Sequence, residues 1–182
     1  MKLLLTGAPR SGKSTLVRRL VAAFAGNAGG IMVAELTGPG RRRRGFELQV
    51  VWRAAGGALA IAERAVLALD GMASPLRVGR YGVSEAALHL AVRALDSAMH
   101  EDGLVIIDEI GPLQIVSPAF CDAVLRCLDG PCDLLATVAQ SQDPFVERLK
   151  ARLGVRVLEV TRQNRQHLAE GLQPWVSGRY LM

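Results

Sequence analysis

Short apolar runs alternate along this chain with longer stretches in which apolar residues recur every third or fourth position. Lys2–Thr6 is a run of the first kind and predicts a short buried strand. Lys13–Ala25 is of the second kind, with Leu16, Leu20 and Ala23 on one helical face. Gly26–Gly30 reads as the end of that helix, and Ile31–Leu36 as the next strand. Helical spacing returns after Ser84, a suitable N-cap, at Leu88, Val92, Leu95 and Met99. Leu104–Ile107 predicts a compact buried strand. A helix around Phe120–Leu128, a strand at Leu134–Val138 and a helix opened by Asp143-Pro144 follow. A strand at Val155–Val160 and a helix from about Asn164 complete the alternation. Such alternation predicts an α/β chain with a mostly parallel sheet covered by helices.

The stretch from Thr37 to about Val83 has a different texture. Thr37-Gly38-Pro39-Gly40 and Gly56-Gly57 are turns, and Phe46–Trp52 is strand-like. These features predict antiparallel hairpins inserted between α/β units. The 182 residues suit a single domain spanning 1–182 with this insertion.

Composition narrows the class. Half of the residues are hydrophobic and 21% are charged, which excludes a disordered chain. No apolar run approaches the roughly 18 residues that span a bilayer, and Lys2 precedes too few apolar residues for a signal peptide. Cys121, Cys127 and Cys132 form no Cys-x-x-Cys pair, and His89, His100 and His167 are scattered, so the expected setting is a reducing cytoplasm. The net charge of +5 points to an anionic partner. Three lysines stand against nineteen arginines, which gives each lysine added meaning.

One of those lysines sits in Gly7-Ala8-Pro9-Arg10-Ser11-Gly12-Lys13-Ser14, a match to the phosphate-loop pattern G-x-x-x-x-G-K-[ST]. A strand precedes it and an amphipathic helix follows. Glycines permit a tight path that turns backbone N–H groups toward phosphate oxygens, and the helix start adds free N–H groups and a positive dipole end. Gly7 through Thr15 are the candidate nucleotide-binding residues, Lys13 the cation for the β- and γ-phosphates, and Ser14 a Mg²⁺ ligand. Arg10 is open to three readings: a solvent-exposed side chain, a phosphate contact, or a catalytic arginine supplied in cis.

Leu104–Ile107 runs into Asp108-Glu109. Ligands gather at the carboxyl ends of parallel strands, so Asp108 is placed to hold Mg²⁺ and Glu109 to act as general base on water. The competing reading is a solvated strand end.

The run Ile107-Asp108-Glu109-Ile110-Gly111-Pro112-Leu113 resembles the signature of the cancer-related nucleoside-triphosphatase family, which includes small thermophilic enzymes that hydrolyse several NTPs. The likeness extends through the phosphate loop, Gly30–Leu36, Arg43-Arg44-Gly45-Phe46, Val78–Val83, Ser117–Phe120 and Asn164-Arg165. It implies a P-loop NTPase three-layer sandwich with Mg²⁺-dependent NTPase activity and broad base tolerance. Two departures stand out. Gln114 occupies a position where the family usually has glutamate, and Ala34-Glu35-Leu36-Thr37 replaces a Glu-Glu-Val-Arg pattern.

Arg41–Arg44 carry four of the +5 net charges, which leaves +1 over the rest of the chain. They read as a solvated loop, as a closure over the triphosphate through Arg43 and Arg44, or as a polyanion contact. The local clustering and the aromatic content of only 4% favour a nucleotide over a nucleic acid. Asn164 reads equally as a base-edge contact and as a helix cap. Tyr81 and Trp175 read as packing residues. The leading expectation is an NTP hydrolase. A small-molecule or nucleotide kinase and a nucleotide-controlled RNA- or protein-binding module are the alternatives.

Overall fold

The structure is a computed structural model, and it describes residues 1–100 and 103–177. Among the described residues, nine strands form one sheet: β1 (Lys2–Thr6), β2 (Ala28–Thr37), β3 (Arg43–Arg53), β4 (Ala60–Asp70), β5 (Arg77–Val78), β6 (Tyr81–Val83), β7 (Leu104–Ile110), β8 (Asp133–Val138) and β9 (Val155–Glu159). Their order across the sheet is β5-β6-β4-β3-β2-β7-β8-β1-β9. Strands β2, β7, β8, β1 and β9 run parallel. Strands β3 to β6, which come from the insertion, extend the sheet antiparallel beyond β2.

Among the described residues, six α-helices connect or flank these strands: α1 (Lys13–Ala23), α2 (Glu85–Ala98), α3 (Pro112–Ile115), α4 (Pro118–Asp129), α5 (Pro144–Lys150) and α6 (Arg165–Val176). Period-two alternation in the central strands divides their side chains between two faces. Leu3 and Leu5 of β1, Ile106 of β7 and Leu135 of β8 pack with Leu16, Leu20 and Leu172 of α1 and α6. Leu4, Val105, Ile107 and Leu134 face the other way, toward Leu88 and Leu95 of α2 and Phe120 of α4. Side chains cap three helices as their sequences require. Ser84 accepts from the Ala87 N–H, Ser117 from Phe120 and Asp143 from Phe145.

Two boundaries near the site differ from the sequence reading: β7 runs on through Asp108 and Glu109 to Ile110, and β2 starts before Ile31. Gly29 and Gly30 do not lie in a helix-ending turn but inside β2, which begins at Ala28. Gly30 has φ +139°, and a Cβ there would lie 2.0 Å from the Ile106 carbonyl oxygen. Glycine is therefore present to let β2 lie close against β7, which brings the two strands into register at Gly30 and Ile106.

Candidate active site

The parallel strands end along one edge of the sheet, and the segments that follow them line a cavity of about 790 Å³. Reading across the sheet order, the lining begins with Arg165 after β9 and the loop after β1. It continues through Gln140 after β8, Asp108 and Glu109 of β7 and Glu35 of β2, and reaches Arg43 and Phe46 of β3. Arg80 and Tyr81 at the β5–β6 turn close the far side.

The glycine-rich loop joins β1 to α1. Gly7 has φ +138°, and a Cβ there would meet the Val160 carbonyl oxygen at 2.3 Å, so the loop passes against β9 only as glycine. No side chain caps α1, so the backbone N–H groups of its first turn stay available, at the positive end of the helix dipole. Lys13 is 9% exposed. Its Nζ donates to the carbonyls of Gly7 at 2.8 Å and Ala8 at 3.1 Å. Those two bonds hold the ammonium over the loop with a third donor uncommitted. Ser14 and Thr15 are exposed and line the cavity. Pro9 and Arg10 lie at its rim, Arg10 exposed with φ +62°. Ala8 contributes its carbonyl and Ser11 a hydroxyl buried without a partner; neither side chain lines the cavity.

Asp108 lies inside β7, which runs on through Glu109 to Ile110, and is 4% exposed. Its Oδ1 accepts from the buried Thr137 hydroxyl of β8 at 2.6 Å, while Oδ2 is buried with no hydrogen-bond partner among the described residues. A buried carboxylate oxygen left open is a costly arrangement unless something else binds it. The solvated-strand-end reading does not describe this residue. Burial pushes the half-buried Glu109 carboxyl above the ordinary glutamate value of 4.5. The neighbouring Asp108 charge adds to the rise, and Lys13 opposes it. A carboxylate raised in this way is a stronger base than an ordinary glutamate, which suits it to taking a proton.

The arginine run divides. Arg43 faces the cavity, bound to Glu35 and lying 5.4 Å over the Phe46 ring. Arg44 is exposed outside the main cavity, in a separate groove with Pro39, Arg42 and Asp70. Asn164 also stands outside the cavity lining. Its Oδ1 accepts from the Thr161 N–H at 2.8 Å and its Nδ2 donates to the Glu159 carbonyl at 2.8 Å. Both ends of the amide are thus committed to the β9–α6 loop, and the side chain does not cap α6. The next residue, Arg165, lies over the phosphate loop, its Cδ 3.0 Å from where a Gly12 side chain would begin.

Among the lining residues, Arg80, Gln140 and Phe46 carry no mark of sequence chemistry, whereas Arg165 belongs to the Thr161–Arg165 run whose polar side chains read as candidates for a nucleobase edge. Tyr81, expected to be a packing residue, packs edge-on to Phe46 at 5.4 Å and also lines the cavity. Arg80 and Arg165 fall within segments that carry the family likeness, which was the available signal. Gln114, at the departure position, is 2% exposed and still reaches the lining.

A family model described as NTPase matches residues 2–172. The chain belongs to this NTPase family. It is 38% identical over 169 residues to the nucleoside-triphosphatase THEP1 of Thermotoga petrophila, covering 92% of this chain and 88% of that one. It is 37% identical over 172 residues to the protein of the same name from Methanothermobacter thermautotrophicus, covering 92% and 91%. The crystal structure of THEP1 from Aquifex aeolicus matches with a TM-score of 0.78 at 28% identity, covering 94% of this chain and 96% of that one. The solution structure of a human cancer-related nucleoside triphosphatase matches with a TM-score of 0.72 at 28% identity, covering 97% of each.

Proposed function

We propose that this chain is a single-domain P-loop nucleoside triphosphatase of three-layer α/β architecture, hydrolysing NTPs to NDP and phosphate with Mg²⁺. The observation that carries this reading is the convergence on one cavity of Lys13, from the start of α1 after β1, with Asp108 and Glu109 of β7, the parallel strand beyond β8. Family membership supports the activity, since curated members bear the name nucleoside-triphosphatase.

The residues fit a divalent cation. Asp108 Oδ2 is buried and unpartnered, and Ser14 offers a hydroxyl on the same cavity. Among the described residues no group of three or more His, Cys, Asp or Glu gathers. That suits Mg²⁺, which takes few protein carboxylates and completes its shell with phosphate oxygens and water. Ser14 and Asp108 would hold it. When bound, Mg²⁺ supplies positive charge to the β- and γ-phosphate oxygens.

The loop N–H groups and Lys13 bind and orient the phosphates. Glu109 takes a proton from water as its oxygen bonds to the γ-phosphorus and the bond to the β–γ bridging oxygen breaks. Arg10 sits at the rim, within reach of developing negative charge. Arg43 is the member of the arginine run that faces the cavity; Arg44 and Asn164 have no part in this reading. Three free cysteines, two of them buried, suit a reducing compartment such as the cytoplasm. Among the described residues no helix is long and apolar enough to cross a membrane.

The test is phosphate release from ATP, GTP, CTP and UTP with Mg²⁺, with Lys13→Ala as control. The expected result is release from at least one NTP that the variant loses. No release above the Lys13→Ala level would overturn the assignment.

A further inference from the structure

The cavity continues past the point where a triphosphate ends. Four strand spacings separate β1, whose end begins the phosphate loop, from β3. At about 4.8 Å each these span roughly 19 Å. The carboxylates of β7 lie halfway along. The reading of the loop as an NTP site, on which this inference rests, directs the γ-phosphate toward Asp108 and Glu109. The nucleoside end of the NTP is then directed the other way, toward Arg165 and β9. The half of the cavity under the insertion is left to something else.

That half has its own chemistry. Phe46 and Tyr81 pack edge to face at 5.4 Å. Arg43 lies 5.4 Å over the first ring and Arg80 5.0 Å over the second. Arg80 is held in place by donating to the Arg43 carbonyl and the Tyr81 hydroxyl, both at 2.9 Å. The Arg43 Nε is buried and has no hydrogen-bond partner. Aromatic rings backed by guanidinium groups stack planar rings, and guanidinium edges bind phosphate in a two-pronged manner. An apolar wall with a few directed polar groups is the usual make-up of a small-molecule site.

We propose that Arg43, Phe46, Arg80 and Tyr81 form a second ligand subsite, facing the γ-phosphate across the cavity, that takes a nucleoside monophosphate. Its ring lies on the arginine–aromatic wall and its phosphate meets the guanidinium groups. This places a second nucleotide in the same cavity as the NTP, and not in competition with it.

The experiment first titrates the full chain with a non-hydrolysable NTP analogue and Mg²⁺. Failure of the analogue to bind overturns the NTP reading and this proposal with it. AMP, GMP, CMP and UMP are then titrated onto the analogue-saturated protein, beside ribose 5-phosphate and adenosine. The expected result is one monophosphate bound per chain with the analogue retained, and clearly weaker binding of the two fragments. Arg80→Ala and Arg80→Lys should each weaken the monophosphate by about tenfold, the size of one lost stacking contact, and leave analogue affinity within twofold. Photocrosslinking of azido-AMP to the analogue-loaded wild type should label the peptide carrying Arg80 and Tyr81, whatever the folding of the variants. Absence of monophosphate binding, displacement of the analogue, or crosslinking to the Arg165 peptide would overturn the second subsite and leave the NTP reading standing.

Discussion

Replacing Thr137 by valine tests the support of the proposed metal ligand. Thr137 is fully buried in β8, and its hydroxyl is the one hydrogen-bond partner of the Asp108 carboxylate seen among the described residues. Valine keeps the branched shape, so no cavity opens, but both carboxylate oxygens are then buried and unpaired. A hydrogen bond to a charged group contributes about 1.5–3 kcal/mol, and the added buried methyl offsets part of its loss. The net expectation is about 2 kcal/mol of destabilisation, close to a 30-fold change in the folding ratio. For a chain of this size that lowers Tm by about 4–8 °C. Urea unfolding should show a lower midpoint with unchanged slope. The Asp108→Ala, Thr137→Val double variant should be less destabilised than the two single effects summed, because the pair acts as a unit. A loss below about 0.5 kcal/mol, within the range of ordinary surface changes, or strict additivity in the cycle, would refute the view that Thr137 holds Asp108.

Four more expectations follow from the same structure. Because burial raises the Glu109 carboxyl above 4.5, the acidic limb of kcat/KM should lie above the ordinary glutamate range. By the same shift, Glu109 favours folding at low pH and loses that contribution as pH rises through its raised value, so Glu109→Gln should flatten that slope in a pH series of melting temperatures. Gly30→Ala forces a Cβ to 2.0 Å from the Ile106 oxygen at φ +139° and should cost about 3 kcal/mol or more, or about 6–12 °C in Tm. Gly40→Ala, at φ +67° with open space around it, should cost only about 1 kcal/mol.

The site was legible in the chain wherever its chemistry is local. Gly7–Thr15 is one strand–turn–helix segment, so spacing alone places Lys13 over the loop and Ser14 on the first turn of α1. Asp108-Glu109 follows a run too apolar to lie anywhere but in the core, which is why its carboxylates sit in the C-terminal part of the buried strand β7. What escaped depends on strand order. Arg80 comes to line the cavity only because the β5–β6 turn, at the sheet edge beyond β4, lies against the Arg43 carbonyl at the start of β3, and no sequence interval between Lys13 and Arg80 encodes that. Arg44 was grouped with Arg43 because adjacency in sequence hides the alternation of a strand, which turns neighbours to opposite sides. Gly29 and Gly30 looked like a helix stop because close packing and chain reversal call for the same residue. Asn164 was ambiguous between cap and base contact, and the loop used its amide for neither.

The most direct measurement compares Glu109→Gln with the wild type in two assays: binding of an NTP with Mg²⁺, and release of phosphate from it. The exchange keeps the side chain's size and removes its ability to take a proton. Loss of general-base action costs typically ~10²–10⁴-fold in turnover, while the loop, Lys13, Ser14 and Asp108 still hold the nucleotide. The account predicts binding within a few-fold of wild type with turnover lowered at least about 100-fold. Full turnover in Glu109→Gln would contradict it.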